Sequence, residues 1–548
     1  NLWLRASTYI SRALSVGTNP VIVSLVQGDL EKLKAAIRCA PRKERPYWLT
    51  EVDVNGKKLS PIAWAIRDRN FELVDFMVND LLTIRADREQ YYYGRDVLFD
   101  AHPDIVHMFC KECPSMLDTL LDGLMWHSQF VQAEDGKVRV NYFIKDIYGD
   151  PSKNPDAWHT SLAVLVEKGT PKNFLHPTVL KTLELKWKGF CSSWFLLMQA
   201  WYLIMQILLM LANIVRMGQC EWVPLRIFLA VASSMTWGLQ MGVCIAQVRR
   251  GQSSNIKLPG GILVPLPRWL NSAWNWLRFM ACLLMPFSAL VEPCQYGTGT
   301  TGGQPDMVDE VDSITFAGRS VTAFVCMMLW IQSMQTLVYS TRLAALTWNL
   351  EVMFQDVSRN LVVVLFFMFS WASALTALVD TDFEDYGQGL IVLLRDFLRL
   401  SPPDHNGMHP LSSFFLFTFA IVTTSGMYAI LVAQIRSSYE VVARDKMGYA
   451  MQHRASICID IESILPLSHR QKIFDALNFD KPCPFDSGDE GPPGGLQCLE
   501  EASVRNNPKY VADRIQRYTG EASPYDPWDE EDDEIADREL DEDFTTRE

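Results

Sequence analysis

A short polar turn late in the chain contains the residues whose types are best suited to binding a cation. The turn runs from Ser401 to His409, and Asp404 is its one acidic residue. Four copies of Asp404 around a symmetry axis would form a ring of carboxylates, which attracts cations and replaces part of their hydration shell. Asn406 and Gly407 could present backbone carbonyl groups to the same ion. The alternative is that Asp404 only stabilises a turn, because Pro, Asp, Asn and Gly are common turn residues.

Two long apolar segments flank this turn and would have to position it. Leu361–Leu378 precedes it, Leu411–Ile435 follows it, and the amphipathic run Gly389–Leu400 lies between them. That run is shorter than the ~20 residues needed to cross a bilayer. A helix that ends at membrane depth is stable only where protein or water surrounds its end. Two full spans with a short helix between them are typical of the pore of an ion channel.

Acidic residues are concentrated just before the short amphipathic run. Carboxylates at the mouth of a pore raise the local concentration of cations. The same residues could equally form a solvated loop without a role. They are Asp380, Asp382, Glu384 and Asp385.

Composition argues against a nucleic-acid-binding protein and against an enzyme. The formal net charge is −14, and much of it lies in the last stretch, including Asp529–Glu534, so it indicates an acidic tail. The nine histidines are mostly dispersed and no glycine-rich phosphate loop is present. Cys110 and Cys113 form one CxxC pair, but no second pair completes a zinc site. The sequence therefore predicts no catalytic site, no metal and no other cofactor.

Six apolar runs are long enough to be membrane spans. The loop after the second run contains four basic residues and no acidic ones. The loop 292–316 contains acidic residues and no basic ones. The positive-inside rule then places both termini in the cytoplasm, with the plasma membrane as the expected location. The fourth run has arginines only at its ends, Arg319 and Arg342, so steep voltage gating is not expected. The runs cover about residues 192–215, 223–247, 270–291, 319–340, 358–379 and 411–436.

The first 130 residues resemble ankyrin repeats. Residues 55–66 are similar to the ankyrin signature, and Asn70–Val74 matches the start of the second helix of a repeat. A similar run, His102–Val106, follows near the ankyrin period of ~33 residues. A generic α-helical domain is the alternative, and in either case we expect packing or assembly. Further on, the alternation of Val138–Ile144 predicts a strand, as one arm of a hairpin.

Three short motifs resemble transient receptor potential (TRP) channels in their order and spacing. Leu431–Tyr439 is similar to the end of the sixth span of that family, Arg454–Glu462 to its TRP box, and His176–Trp187 to its pre-membrane linker. The resemblance implies a homotetrameric channel that conducts Na⁺, K⁺ and Ca²⁺. The tryptophan that opens the TRP box is missing near Ala450, where Tyr449 is the one aromatic residue. The turn also lacks the Gly-Met-Gly filter of vanilloid-type members, so ion selectivity does not follow from the resemblance.

The same resemblance places a gate at the inner end of the last span. Ile435 is the first candidate, with Val432 and Gln434 beside it, because a hydrophobic constriction can block ions by dewetting. These side chains could instead simply pack between helices.

A set of basic residues falls near the inner leaflet by topology. Anionic headgroups attract such residues by about 1 kcal/mol per charge, which makes a membrane phosphoinositide the expected regulator. The positive-inside rule alone could also account for them. The residues are Lys186, Lys188, Arg249, Arg250, Arg342, Arg444, Lys446 and Arg454.

Together these observations predict a mostly α fold, with a cytosolic ankyrin-like repeat domain and a six-helix membrane domain containing a re-entrant pore helix. Thr341–Val357 is expected to form a separate linker helix before the fifth span. Most of the tail is expected to be solvated, and the alternative is that it packs on the ankyrin-like region of a neighbour through Tyr525, Trp528 and Phe544. A secondary transporter and a membrane scaffold without conduction are the competing interpretations. The predicted domains are residues 1–130 (repeats), 131–190 (linker), 191–342 (four-helix bundle), 343–436 (pore), 437–465 (TRP-like helix) and 466–548 (acidic tail).

Overall fold

The computed structural model is mostly helical and divides into two compact units. The first unit comprises residues 1–191 and 455–548, and the second comprises residues 192–454. The structure describes residues 24–25, 27–38, 52–54, 57–87, 90–131, 136–215, 220–249, 251, 253–257, 263–290, 308–378, 383, 385–398, 410–481, 491, 494–501 and 515–517.

Short helices joined by tight turns make up most of the first unit. Ser60 caps α2, because its Oγ accepts a hydrogen bond from the backbone N–H of Ala63 at 3.1 Å, and Pro61 occupies the first helical position. Arg69 ends the same helix with a left-handed backbone, at φ 59°. The helices are α1 (Leu30–Arg38), α2 (Pro61–Asp68), α3 (Phe71–Leu82), α4 (Arg95–Ala101), α5 (Ile105–Glu112), α6 (Met116–Gly123), α7 (Lys145–Tyr148), α8 (Ser161–Lys168) and α9 (Pro177–Lys186).

Three small sheets lie in the first unit. The hairpin β1 (Val52–Val54) and β2 (Lys57–Leu59) precedes α2. In the second sheet, β3 (Ile84–Asp87) pairs with β4 (Gln90–Tyr92) and, in parallel, with β10 (Ile515–Arg517). In the third, β6 (Lys137–Tyr142) lies between β5 (Met125–Val131) and β9 (Leu496–Glu501), and all three strands are antiparallel.

The strand predicted from the Val138–Ile144 alternation is therefore present as β6, and β5 completes the hairpin. The prediction of a solvated tail is wrong for residues 496–501, which form β9. Gly495 makes this possible, because its φ is +70° and a Cβ there would lie 2.9 Å from the carbonyl oxygen of Tyr142.

Long apolar helices dominate the second unit. Four helices in the described chain are long and apolar enough to cross a membrane, namely Pro177–Asn213, Val223–Arg249, Gly318–Tyr339 and Pro410–Ser437, and Leu361–Ala377 is a shorter apolar helix. The chain therefore has the character of a membrane protein. The third predicted span corresponds to an 18-residue helix that contains Pro286, and this helix is not among the four. The elements are α10 (Ser192–Met210), α11 (Val223–Arg249), β7 (Ser253–Lys257), β8 (Leu263–Pro267), α12 (Ala273–Leu290), α13 (Val308–Ser333), α14 (Thr341–Ala377), α15 (Tyr386–Phe397), α16 (Pro410–Ala420) and α17 (Tyr428–Arg444).

The separate linker helix predicted before the fifth span is absent. Helix α14 runs through 37 residues without a break. No Pro or Gly occurs between Thr341 and Ala377, so nothing in the sequence ends the helix at Val357. Two further helices follow α17, namely α18 (Lys446–Ile464) and α19 (Leu467–Leu477).

Candidate pore helices and the helix that follows them

The short helix α15 is held between the two apolar helices that flank it in sequence. It has 12 residues and is therefore about 18 Å long, well below the ~30 Å of a bilayer core. Leu393 and Phe397 lie in one buried cluster with Met368 of α14 and Phe419 of α16. Gly389 permits close packing, since a Cβ there would lie 3.0 Å from the ring of Phe383. The predicted short element between two long helices is thus present.

The predicted filter and most of the acidic mouth lie outside the described residues. This applies to Asp404, Asn406, Gly407, Asp380, Asp382 and Glu384. Asp385 is described, and it lies exposed immediately before α15. The ion-binding roles of all these residues remain predictions.

The last apolar helix contains a π-helical segment, Ile421–Met427, between α16 and α17. Such segments are rare and are frequent at functional sites. Thr423 is buried within it, and its hydroxyl donates to the carbonyl oxygen of Phe419 at 2.7 Å. The sequence analysis missed this segment, because a π-helix has no distinctive residue pattern in an apolar run.

The predicted gate residues follow this segment on a poorly covered helix. Val432 and Gln434 are exposed and Ile435 is half-buried. In the most apolar stretch of Pro410–Ser437 only 19% of the residues are buried, against 39%, 33% and 33% in the other three long apolar helices. A single chain therefore leaves much of this helix without protein contacts.

The first half of α18 contacts other helices of the second unit through two adjacent residues, His453 and Arg454. Arg454 donates from Nε and Nη2 to the carbonyl oxygen of Val338, at 3.2 Å each, and from Nη2 to that of Tyr339 at 2.5 Å. These carbonyls end the 3₁₀ helix Met334–Tyr339, where the helix dipole favours a cation. His453 is buried with its Nδ1 3.5 Å from Thr347 Oγ1, and burial lowers its pKa to about 4.

The second half of α18 takes part in a buried charge cluster in the first unit, which we call the charge clasp: Lys186, Glu462 and Arg470. Glu462 accepts from Lys186 Nζ at 2.6 Å through one carboxylate oxygen and from Arg470 Nη2 at 2.9 Å through the other. Lys186 is fully buried and its Nζ also lies 4.5 Å from the ring centroid of Tyr148. Burial raises the pKa of Tyr148, and the Glu462 carboxylate adds to that shift.

The burial of Lys186 corrects one of the predicted lipid contacts. The Lys186 ammonium is enclosed by protein and has no surface to offer a headgroup. Arg454 is half-buried and its guanidinium is directed at backbone carbonyls, and its predicted lipid contact stays a prediction. Sequence reasoning could not find the partner of Lys186, because Glu462 lies 276 residues further along the chain.

The other predicted lipid-binding residues are mostly at the surface. Lys188 is exposed and pairs with Glu184 at 2.5 Å, and Arg249, Arg444 and Lys446 are exposed. Arg250 and the side chain of Arg342 lie outside the described residues.

A second contact to α9 involves strand β9. Glu500 of β9 accepts from Lys181 Nζ at 2.8 Å and from the Tyr142 hydroxyl at 2.9 Å. Helix α9 is therefore bound by one carboxylate from β9 and one from α18. The sequence analysis did not single out Lys181 or Glu500, which have no motif around them.

Polar side chains are buried between the apolar helices of residues 192–340. Gln199 donates to Gln335 at 3.0 Å, and Gln240 donates to the Tyr202 hydroxyl at 2.7 Å. The Arg278 guanidinium contacts Gln335 and lies 5.5 Å from the Tyr202 ring centroid. Such bonds fix the register of helices whose surfaces are mostly apolar.

The sequence matches no family model and no curated protein. Within the described part of the chain, no group of three or more His, Cys, Asp or Glu residues is placed to hold a metal ion. The function must therefore be argued from the geometry of the helices.

Proposed function

We propose that this chain is one subunit of a tetrameric, TRP-type cation channel. The observation that supports this most is the 12-residue helix α15, packed between a long helix that precedes it and a poorly covered apolar helix that follows. Four copies would cover the bare helix and enclose a water-filled axis around the end of α15. The channel is non-selective among cations and permeable to calcium.

The proposed topology has six spans with both termini in the cytoplasm of the plasma membrane. Helices α12 and α14 supply the third and fifth spans in addition to the four long apolar helices. The helices at the start of the first unit are proposed to be ankyrin-like repeats, because α2 packs against α3 behind a hairpin, and α4 and α5 follow β3 and β4 in the chain.

The proposed conduction pathway passes the acidic mouth, then Asp404, and then the gate. Asp404, with the carbonyl groups of Asn406 and Gly407, binds the partly dehydrated ion. Ile435 and its neighbours close the inner end. In the sequence, the π-helical segment lies between Asp404 and Ile435, so a change in its winding would rotate the gate residues.

Helix α18 is proposed to carry the stimulus to the gate. It follows the last span directly. In its first half, His453 lies next to Thr347 near the start of α14, and Arg454 donates to the carbonyl oxygens of Val338 and Tyr339. In its second half, Glu462 belongs to the charge clasp. Membrane phosphoinositide, temperature or another stimulus, rather than strongly voltage, would shift this helix. The exposed cations Lys188, Arg249, Arg444 and Lys446 are the proposed phosphoinositide contacts.

The experiment compares the purified wild-type protein with Asp404→Asn in liposomes loaded with a calcium-sensitive dye. We expect rapid cation flux from the wild type and a several-fold lower calcium-to-potassium flux ratio from the variant. Saturable, coupled uptake would favour a transporter, and the absence of flux would favour a scaffold. An unchanged flux ratio in D404N would contradict the carboxylate ring.

A further inference from the structure

The lower part of α17 carries an ion pair on a side that its own chain leaves uncovered. Val432, Arg436 and Glu440 are four residues apart, so they follow one another along one stripe of the helix. Val432 is 45% exposed, and the side chains of Arg436 and Glu440 are 80% and 54% exposed. Leu431 and Ile435, which precede Val432 and Arg436 by one residue and so point about 100° away, are half-buried. The stripe is therefore open to whatever surrounds the single chain.

The two charges on this stripe need water beside them. Arg436 Nε donates to a Glu440 carboxylate oxygen at 3.0 Å, between neighbouring turns of one helix. No charged residue occurs between Leu411 and Ile435, so Arg436 is the first charge after the apolar part of the last helix. Charged side chains at such a position face protein, a water-filled cavity or the headgroup layer, and not lipid tails. Because little of the pair is covered by protein, we expect it to border water.

We propose that Arg436 and Glu440 form a balanced double ring of charge at the cytoplasmic mouth of the pore, and that this balance sets how readily cations enter from the cytoplasm. This inference rests on the proposed function, because it needs four copies around an axis. In that arrangement Val432 is a gate candidate, and Arg436 follows it on the same stripe, about 6 Å further along the helix. A stripe that closes the pathway with Val432 brings both charges to its mouth.

The ion pair matters because its two charges cancel. Four arginines without their partners would place four uncompensated positive charges around a narrow mouth, and such a field lowers the local concentration of cations. Each Glu440 carboxylate removes most of that field, because it lies against an Arg436 nitrogen. Salt screens exposed charges over about 10 Å at 0.1 M and about 3 Å at 1 M. An effect of charge must therefore fade as the salt concentration rises, whereas an effect of altered packing would not.

The first test removes one partner at a time and measures single-channel currents in inside-out patches from cells that express the full chain. In symmetric KCl at about 0.1 M, Glu440→Gln should lower the ratio of outward to inward current roughly twofold to fivefold, because outward current is carried by cations from the cytoplasm. Arg436→Gln should raise the same ratio, and the double variant R436Q/E440Q should return it close to the wild-type value. All these ratios should converge in symmetric KCl at about 1 M.

Asp100→Asn is the matched control for charge. Asp100 and Lys153 form an exposed pair at 2.8 Å in the first unit, away from the pore helices in the sequence. The variant adds the same charge to each chain as E440Q does, and we expect an unchanged current ratio. A shift in D100N as large as that in E440Q, or a shift in E440Q that persists at high salt, would contradict the charge ring.

The second test asks directly whether position 436 borders the pathway. Patches with the Arg436→Cys variant are exposed on the cytoplasmic side to a positively or a negatively charged methanethiosulfonate reagent. The positive reagent should bring the current ratio back towards the wild-type value, and the negative reagent should raise it further. The wild type, which contains the partly exposed Cys110 and Cys498, is the reagent control.

The outcomes separate this inference from the proposed function. Cation currents whose ratio is the same in the wild type, E440Q, R436Q and the modified R436C variant would overturn the inference and leave the proposed function standing, since the pair would then lie away from the pathway. A wild-type chain that gives no cation current would overturn both.

Discussion

The charge clasp and helix α15 differ in how far their charged side chains are enclosed by the chain. In the clasp, Glu462 is 3% exposed and bonds both Lys186 and Arg470 within one chain. On α15, Arg395 stays exposed in the single chain, next to aliphatic side chains that are exposed as well. The clasp is complete in one copy, whereas in the proposed channel the helices around α15 would need further copies. Substitutions in the clasp should therefore change folding, and substitutions on α15 should change assembly.

The largest effect on folding is expected from Glu462→Gln. It leaves two buried cations without their counter-ion, which costs roughly 3–5 kcal/mol of the free energy of unfolding. Thermal unfolding of the purified protein would show this as a lower melting temperature that does not depend on protein concentration. Glu440→Gln, which breaks an exposed pair of the same type, is the control, with an effect of at most about 0.5 kcal/mol. Equal effects of the two variants would show that the clasp does not stabilise the fold.

A second large effect is expected from acidification, through His453. Its pKa is lowered to about 4 in the folded protein from the ordinary 6.5, so the unfolded state binds the extra proton between these values. Stability therefore falls as the pH decreases from 6.5 to 4, by roughly 3 kcal/mol in total, and no further below that. The neighbouring Arg278 contributes to the same shift by repelling the charged ring. His453→Gln should flatten this part of the melting-temperature profile, and an unchanged profile would contradict the assignment.

A smaller effect is expected from Glu500→Gln. Lys181 and Glu500 are 16% and 26% exposed, so their ion pair is partly screened by water. We expect a loss of about 1 kcal/mol and faster hydrogen exchange in β9 than in β5. An unchanged rate of hydrogen exchange in β9 would indicate that the strand is held by its backbone pairing alone.

The smallest effect on stability is expected from replacing the four exposed cations Lys188, Arg249, Arg444 and Lys446 with Gln. Each lies at the surface, so the melting temperature should shift little. Currents should nevertheless lose their response to added phosphoinositide, because the attraction for anionic headgroups is gone. A full response in the quadruple variant would remove these residues as the lipid site.

The sequence predicts the local elements well and the long-range partners poorly. The long apolar helices and β6 follow from residue patterns over 7 to 25 neighbouring positions, and most of them are present. Lys186 was predicted to contact lipid because it is basic and close to a span, yet Glu462, its partner, is distant in sequence. Strand β9 was missed because Leu496–Glu501 combines polar and acidic residues, and only its pairing with β6 makes it a strand.

Single-channel recording of the purified wild-type protein in a planar bilayer, with a tenfold KCl gradient, tests the central claim most directly. The account predicts unitary current steps whose reversal potential lies close to the potassium equilibrium potential, together with inward steps when calcium is the only cation on one side. A tetramer that inserts into the bilayer and gives no unitary steps, or steps that reverse at the chloride equilibrium potential, would contradict it.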